Sequence, residues 1–112
     1  MFAKLAVLLL LSLIGVPEPG AIPAGVYTIS AYSYNEGGGE NYFTAGGYTP
    51  VPYYTVAAGE QFDLGTVLYI EGVGEVQVQD RGDFPDTWID LHVGYDDPEE
   101  WGLQEREVWI IE

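Results

Sequence analysis

The chain contains no cysteine, one methionine, one histidine and only 3 lysine and arginine residues. Without cysteine there is neither a disulfide framework nor a thiolate metal site, so the fold has to be stable on packing alone. Scarcity of basic side chains excludes another class of partner. Eighteen Asp and Glu against those three give a formal charge of −15, a surface that repels phosphate backbones and anionic lipid headgroups. Nucleic acid is therefore not an expected partner. Long apolar runs are also missing apart from Leu5–Val16, which is short of the roughly 20 residues that span a bilayer. Stable membrane insertion is not expected. The glycine pattern lacks the Gly-Lys-Ser/Thr ending of a phosphate-binding loop.

What is present is 47% hydrophobic content with 9 tyrosines and 3 tryptophans, enough for the core of one small domain. Met1-Phe2-Ala3-Lys4, the apolar run and the breakers and small residues from Pro17 to Ala24 have the three parts of a secretory signal peptide, with cleavage expected after Ala21 or Ala24. The expected organisation is a leader over 1–24 and one domain over 25–112, secreted to the cell exterior or wall.

Within that domain, Tyr27, Ile29 and Ala31 alternate with Thr28, Ser30 and Tyr32, which predicts a first strand with one buried face. The acidic, Gly-rich stretch 35–47 predicts a mobile loop. Pro50 and Pro52 confine the next segment to an extended edge, and Thr55–Ala58 reads as a short buried strand. Leu64–Glu71 and Glu75–Gln79, joined at Gly72-Val73-Gly74, predict an antiparallel hairpin. A turn over residues 81–86 leads to an alternating strand from Thr87 to Val93. Asp97, Pro98, Glu99 and Glu100 form an N-capping signature for the single helix expected, which Gly102 should end. Glu107–Glu112 closes the chain as a strand with Trp109 in a structural role. About six short strands with one short helix predict an all-β fold, a small barrel.

Chemistry concentrates in Val78–Val93. Asp80 ends one strand and Asp90 sits at the centre of the next, so two carboxylates are tied to rigid elements. Trp88 and His92 flank Asp90 at two-residue spacing on the same strand face. Trp88 is placed to desolvate Asp90, and Asp80 to raise its affinity for a proton by like charge. Arg81 suits either ordering of nearby carboxylates or a ligand contact. His92 suits a substrate contact or an ordinary surface position. Tyr32, Tyr34, Tyr53, Tyr54 and Trp88 offer flat faces that stack on sugar rings, although most aromatics should fill the core. Neither a metal nor a cofactor is expected, because the aspartates and His92 lack ligand spacing. Asp80 also suits a simple turn cap.

Five segments, Thr55-Val56-Ala57-Ala58, Leu64–Gly72, Val78-Gln79-Asp80-Arg81-Gly82, Ile89-Asp90-Leu91 and Trp101-Gly102 ahead of Val108–Ile111, resemble in that order the 3D domain, a family named for three aspartates. The resemblance implies a six-stranded double-psi β-barrel, similar to the C-terminal part of A-type membrane-bound lytic transglycosylases and to the barrels of rare lipoprotein A and expansins. It implies an enzyme that cleaves peptidoglycan glycan strands, with Asp90 as the acid/base and Asp80 beside it; Arg81, Trp88, His92, Tyr32 and Tyr54 are the candidate substrate contacts read from their own chemistry, and a monomer is expected. The chain departs from the family where the first aspartate is expected, running into Gly59-Glu60, and again after Asp80, at Gly82–Asp86. A non-catalytic glycan-binding or wall-loosening module of expansin type is the alternative, and a structural barrel accessory to a wall assembly is a third.

Overall fold

The computed structural model describes Pro17 and residues 20–112. Six strands and two short helices follow in the order β1 (Ile22–Tyr32), α1 (Tyr34–Gly37), β2 (Thr55–Ala58), β3 (Val67–Ile70), β4 (Gly74–Arg81), β5 (Trp88–His92), α2 (Pro98–Trp101) and β6 (Gln104–Ile111). The strands close into a barrel in the order β1-β5-β2-β4-β3-β6, with β6 returning to β1. Two pairings, β1 with β5 and β2 with β4, are parallel, and the others are antiparallel.

Period-2 alternation decides what fills the barrel. Tyr27 and Ile29 from β1, Val56 and Ala58 from β2, Leu68 and Ile70 from β3, Val76 and Val78 from β4, Ile89 and Leu91 from β5, and Val108 from β6 form one buried cluster with Phe62 and Val93. The β3–β4 hairpin pairs as its alternation predicts, Leu68 opposite Val76 and Ile70 opposite Gly74. Trp109 stays half-buried on the outer side, its ring edge-on to Tyr69 at 6.1 Å.

The helix at Pro98 forms where its capping residues place it. Asp97 accepts the Glu99 N–H at 2.9 Å, and Gly102 closes the turn with its own N–H on the Pro98 carbonyl at 3.0 Å. The Trp101 indole N–H then bonds the Ile29 carbonyl at 2.9 Å, fastening the helix to β1. A second helix, α1, is an addition to the single one expected. It is one turn long, and Gly39 N–H ends it on the Tyr34 carbonyl at 2.8 Å.

Residues 1–16 of the expected leader lie outside the described residues. Its expected end is inside β1: Ile22 pairs with Ile110 and Pro23 with Trp109, ahead of a register shift between Pro23 and Gly25. Ladder pairing of β1 thus begins at Ile22, within the stretch read as the end of the leader. Among the described residues no helix is long and apolar enough to cross a membrane.

Candidate active site

Strand register lines up Ser30, Asp90, Ala57 and Asp80 in a single row across β1, β5, β2 and β4. Ser30 pairs with Asp90, Asp90 with Ala57, and Ala57 with Asp80. Because Ile29, Ile89, Leu91, Val56 and Ala58 point into the core, the row belongs to the outer face. Asp80 joins it only through a β-bulge. Val56 pairs with Val78 but Ala57 pairs with Asp80, so Gln79 is an extra residue on β4. Without it Asp80 would share the inward face of Val76 and Val78. With strands about 4.8 Å apart, the two aspartate backbones are about 10 Å apart, with Ala57 between them.

A polar chain, buried at Thr55 and Gln79, holds the bulge. Val51 N–H donates to Thr55 Oγ1 at 2.7 Å, Thr55 Oγ1 to Gln79 Oε1 at 2.7 Å, Gln79 Nε2 to Gln77 Oε1 at 2.7 Å, and Gln77 Nε2 to the Gly65 carbonyl at 3.2 Å. The bulged carbonyl of Gln79 takes two further donors, Thr44 Oγ1 at 2.5 Å and Gly46 N–H at 3.2 Å. These pin the Gly-rich segment, which sequence reading treats as mobile, against the site. Gly46 has to be glycine there, since a Cβ would lie 2.7 Å from the Gln79 carbonyl oxygen.

The two carboxylates differ in what surrounds them. Asp80 Oδ1 accepts the Ala45 and Arg81 N–H groups, both at 2.9 Å, and Oδ2 accepts the Tyr32 hydroxyl at 3.2 Å. Asp90, half-buried, has one side-chain donor, Ser30 Oγ at 2.9 Å, and that serine in turn accepts the Trp88 indole N–H at 2.8 Å. Burial is the main reason the Asp90 carboxyl is pushed up to about 6; the Ser30 hydrogen bond opposes the rise, and the charges of Glu36 and Asp80 add to it. Asp90 is thus a carboxyl that holds or releases a proton close to neutral pH. Trp88 reaches it through Ser30.

Tyrosines ring the pair. Burial, followed by the charge of Asp80, raises the Tyr32 hydroxyl far above its ordinary value. Tyr42, half-buried on the loop, lies beside the Tyr32 hydroxyl and is raised by burial first and then by Asp80 and, more weakly, Asp90. Ser30, Glu36, Tyr42 and Ala57 belong to the site and escape sequence reading. Ser30 shares the outward parity of Tyr32 on β1, but only the β1–β5 register reveals that it meets Asp90.

Other candidates stand elsewhere. His92 is fully buried, which corrects its reading as a surface or substrate-contacting histidine. The Tyr32 and Tyr34 rings cover it edge-on at 4.9 and 4.5 Å, and its Nδ1 accepts the Gly94 N–H at 3.1 Å. Burial lowers its proton affinity, with Asp80 acting weakly the other way. Arg81 turns from carboxylates to carbonyls: Nη1 donates to Gly59 and Phe62 oxygens, both at 2.6 Å. Tyr53 donates to Asp96 at 2.6 Å, and Tyr54, half-buried, offers its carbonyl to Gln77 N–H at 2.8 Å. Neither joins the aspartate row. Among the described residues no three His, Asp or Glu side chains gather as metal ligands.

No protein-family model matches the chain, and no curated protein matches it significantly.

Proposed function

We propose that the barrel cleaves β-1,4 glycosidic bonds in cell-wall glycan as a secreted enzyme of lytic transglycosylase type, with Asp90 as acid and base. The observation that carries this reading is the pairing in one row of Asp90, pushed up to about 6, with Asp80, held by three donors. Protonated Asp90 donates to the leaving glycosidic oxygen as the C1–O bond breaks, and an oxocarbenium-like centre forms. The carboxylate then removes the proton of the same sugar's C6 hydroxyl, whose oxygen bonds C1 to close a 1,6-anhydro ring. One residue serves both steps, and Asp80, fixed by its three donors, stands in the same row. Tyr32 and Tyr42 supply hydroxyl donors at the cleft.

The resemblance of five ordered segments to the 3D domain supports the same reading and, together with the two parallel pairs β1–β5 and β2–β4, supports a double-psi topology for the barrel. A second reading, a glycan-binding module of expansin type, is favoured by the β2–β3 turn. Glu60 and Asp63, the carboxylates nearest the place of the family's first aspartate, are both exposed.

The test is incubation of the purified protein and its Asp90→Asn variant with isolated peptidoglycan, followed by mass spectrometry. Anhydro-muropeptides from the parent alone support the proposal, and reducing-end muropeptides mean a hydrolase instead. A folded protein that binds sacculi and releases nothing leaves the binding module.

A further inference from the structure

His92 shares the outward parity of Asp90 on β5, yet it is fully buried. Its ring makes one hydrogen bond: Nδ1 accepts the Gly94 N–H at 3.1 Å, while Nε2 has no partner among the described residues. An accepting Nδ1 puts the proton of the neutral imidazole on Nε2. The donor is held in place, since Gly94 has φ +66 and packs so close to Pro52 that a Cβ would lie 3.0 Å from its Cγ. Around the imidazole stand the Tyr32 ring from β1 and the Tyr34 ring from α1, edge-on at 4.9 and 4.5 Å, and the Tyr53 N–H, which meets the His92 carbonyl at 2.7 Å. Asp80 of β4 acts on it through charge, but its Oδ2 already takes the Tyr32 hydroxyl at 3.2 Å, and Asp90 is turned to Ser30.

A second proton does not fit this arrangement. It would go on Nδ1 and set one N–H against that of Gly94, leaving both ring nitrogens as donors without acceptors around a buried charge. The imidazole then has to leave, and the two rings that roof it have to part. Tyr32 carries the longest of the three hydrogen bonds to Asp80, and Tyr34 is tied to the same turn by its N–H on the Gly94 carbonyl at 2.9 Å. We propose that His92 is a proton-operated latch: neutral, it seats Tyr32 and Tyr34 and keeps the Tyr32 hydroxyl on Asp80, and protonated, it swings out and frees both rings while the barrel stays closed. Burial lowers its proton affinity against the pull of Asp80, which puts the release below the ordinary 6.5. The inference concerns what covers the aspartate row and holds whatever reaction the row performs.

The experiment uses the Asp90→Asn variant, which removes the carboxyl that titrates near 6. His92 is the single histidine, so its imidazole signals are unambiguous. NMR from pH 7.5 to 4 follows the imidazole nitrogens, the Tyr32 and Tyr34 rings and the Gly94 amide. The Nε2-protonated tautomer is expected at the upper end. Imidazole protonation, ring shifts and a fall of at least about tenfold in Gly94 amide protection should then share one midpoint below 6.5, with Ile89 and Leu91 amides still protected. Adding His92→Asn, whose Oδ1 can accept the Gly94 N–H but which gains no proton, should abolish the ring and Gly94 transitions. Where that variant does not fold, the shared midpoint decides. An imidazole that protonates without moving the rings, that stays neutral to pH 4, or that protonates only as the core amides lose protection overturns the latch, as does a ring transition that survives in folded His92→Asn protein.

Discussion

Asp80 and Asp90 occupy one transverse row of the barrel with Ala57 between them, yet one accepts three hydrogen bonds and the other accepts a single side-chain donor. Two identical side chains are thereby given different tasks by their surroundings, which is how a pair of carboxyls divides the holding of a proton from the holding of charge. The difference originates in backbone. Gln79, inserted into β4, turns Asp80 outward and presents its own carbonyl to the loop that brings the Ala45 N–H to Asp80.

Asp90 sits at about 6 in the fold against an ordinary 3.8. The folded state therefore binds more protons than the unfolded chain between those values. Stability contributed by this group is present below about pH 4 and is lost as pH rises through 6, by about 1–2 kcal/mol after allowing for solvent screening. His92 works in the opposite direction, because burial lowers its affinity and protonation then favours unfolding below its ordinary 6.5. Denaturant unfolding of Asp90→Asn and His92→Gln from pH 4 to 7 should separate the two: the first variant loses the decline toward pH 6, the second loses the rise. Carboxyl NMR should show Asp90 titrating near 6.

Among the described residues, Ser30→Ala removes the only side-chain donor to Asp90 and the one interaction that lowers its proton affinity. Its titration should move upward from about 6, and the alkaline limb of any Asp90-dependent activity should move with it. Trp88→Phe, which leaves the serine hydroxyl without its indole donor, should shift the curve in the same direction by less. An unmoved titration in Ser30→Ala would show that the serine hydrogen bond does not help to set the value, leaving burial and the charges of Glu36 and Asp80.

Much of the fold is legible in the sequence because local signals agree with the tertiary outcome. The β3–β4 hairpin follows from alternation broken by Gly72-Val73-Gly74, and the 98–101 helix from Asp97 and Pro98. Asp90 and Tyr32 are likewise found from strand parity, whereas Asp80 has the inward parity of Val76 and Val78 and reaches the row only through the bulge. What stays hidden depends on register or on long-range contact. Gln79 carries no mark of a bulge, being neither glycine nor at a turn, and its place is set by Thr55 and Gln77. Tyr42 is nondescript until the loop is pinned at Thr44 and Ala45. His92 has outward parity yet is covered by two tyrosine rings, which alternation alone cannot foresee.

Gly46→Ala tests the pinned loop. The added methyl would meet the Gln79 carbonyl at 2.7 Å and the Tyr48 ring at 3.0 Å, so the loop has to withdraw. The Ala45 N–H then loses Asp80, and amide hydrogen exchange at Ala45 should rise at least tenfold while core amides at Ile89 and Leu91 stay protected. Global stability should fall by no more than about 1 kcal/mol, because the barrel ladder is untouched.

Ala57→Leu addresses the row itself. Ala57 is 4% exposed, and its side chain is the floor between the two carboxylates. Leucine would place extra volume between Asp80 and Asp90 on the outer face, where the Tyr32 and Tyr42 hydroxyls also converge. Overpacking there should cost about 1–3 kcal/mol and leave the barrel folded, since Val56 and Ala58 still fill the inner face. Displacement of a reacting carboxyl by even an ångström is worth about 100-fold in rate, so the glycan release proposed for Asp90 should fall by at least that much. Ala57→Gly clears the same floor without moving either aspartate and should retain most of the activity. Equal losses in both variants would mean that the strand, and not the space between the carboxylates, is what the reaction requires.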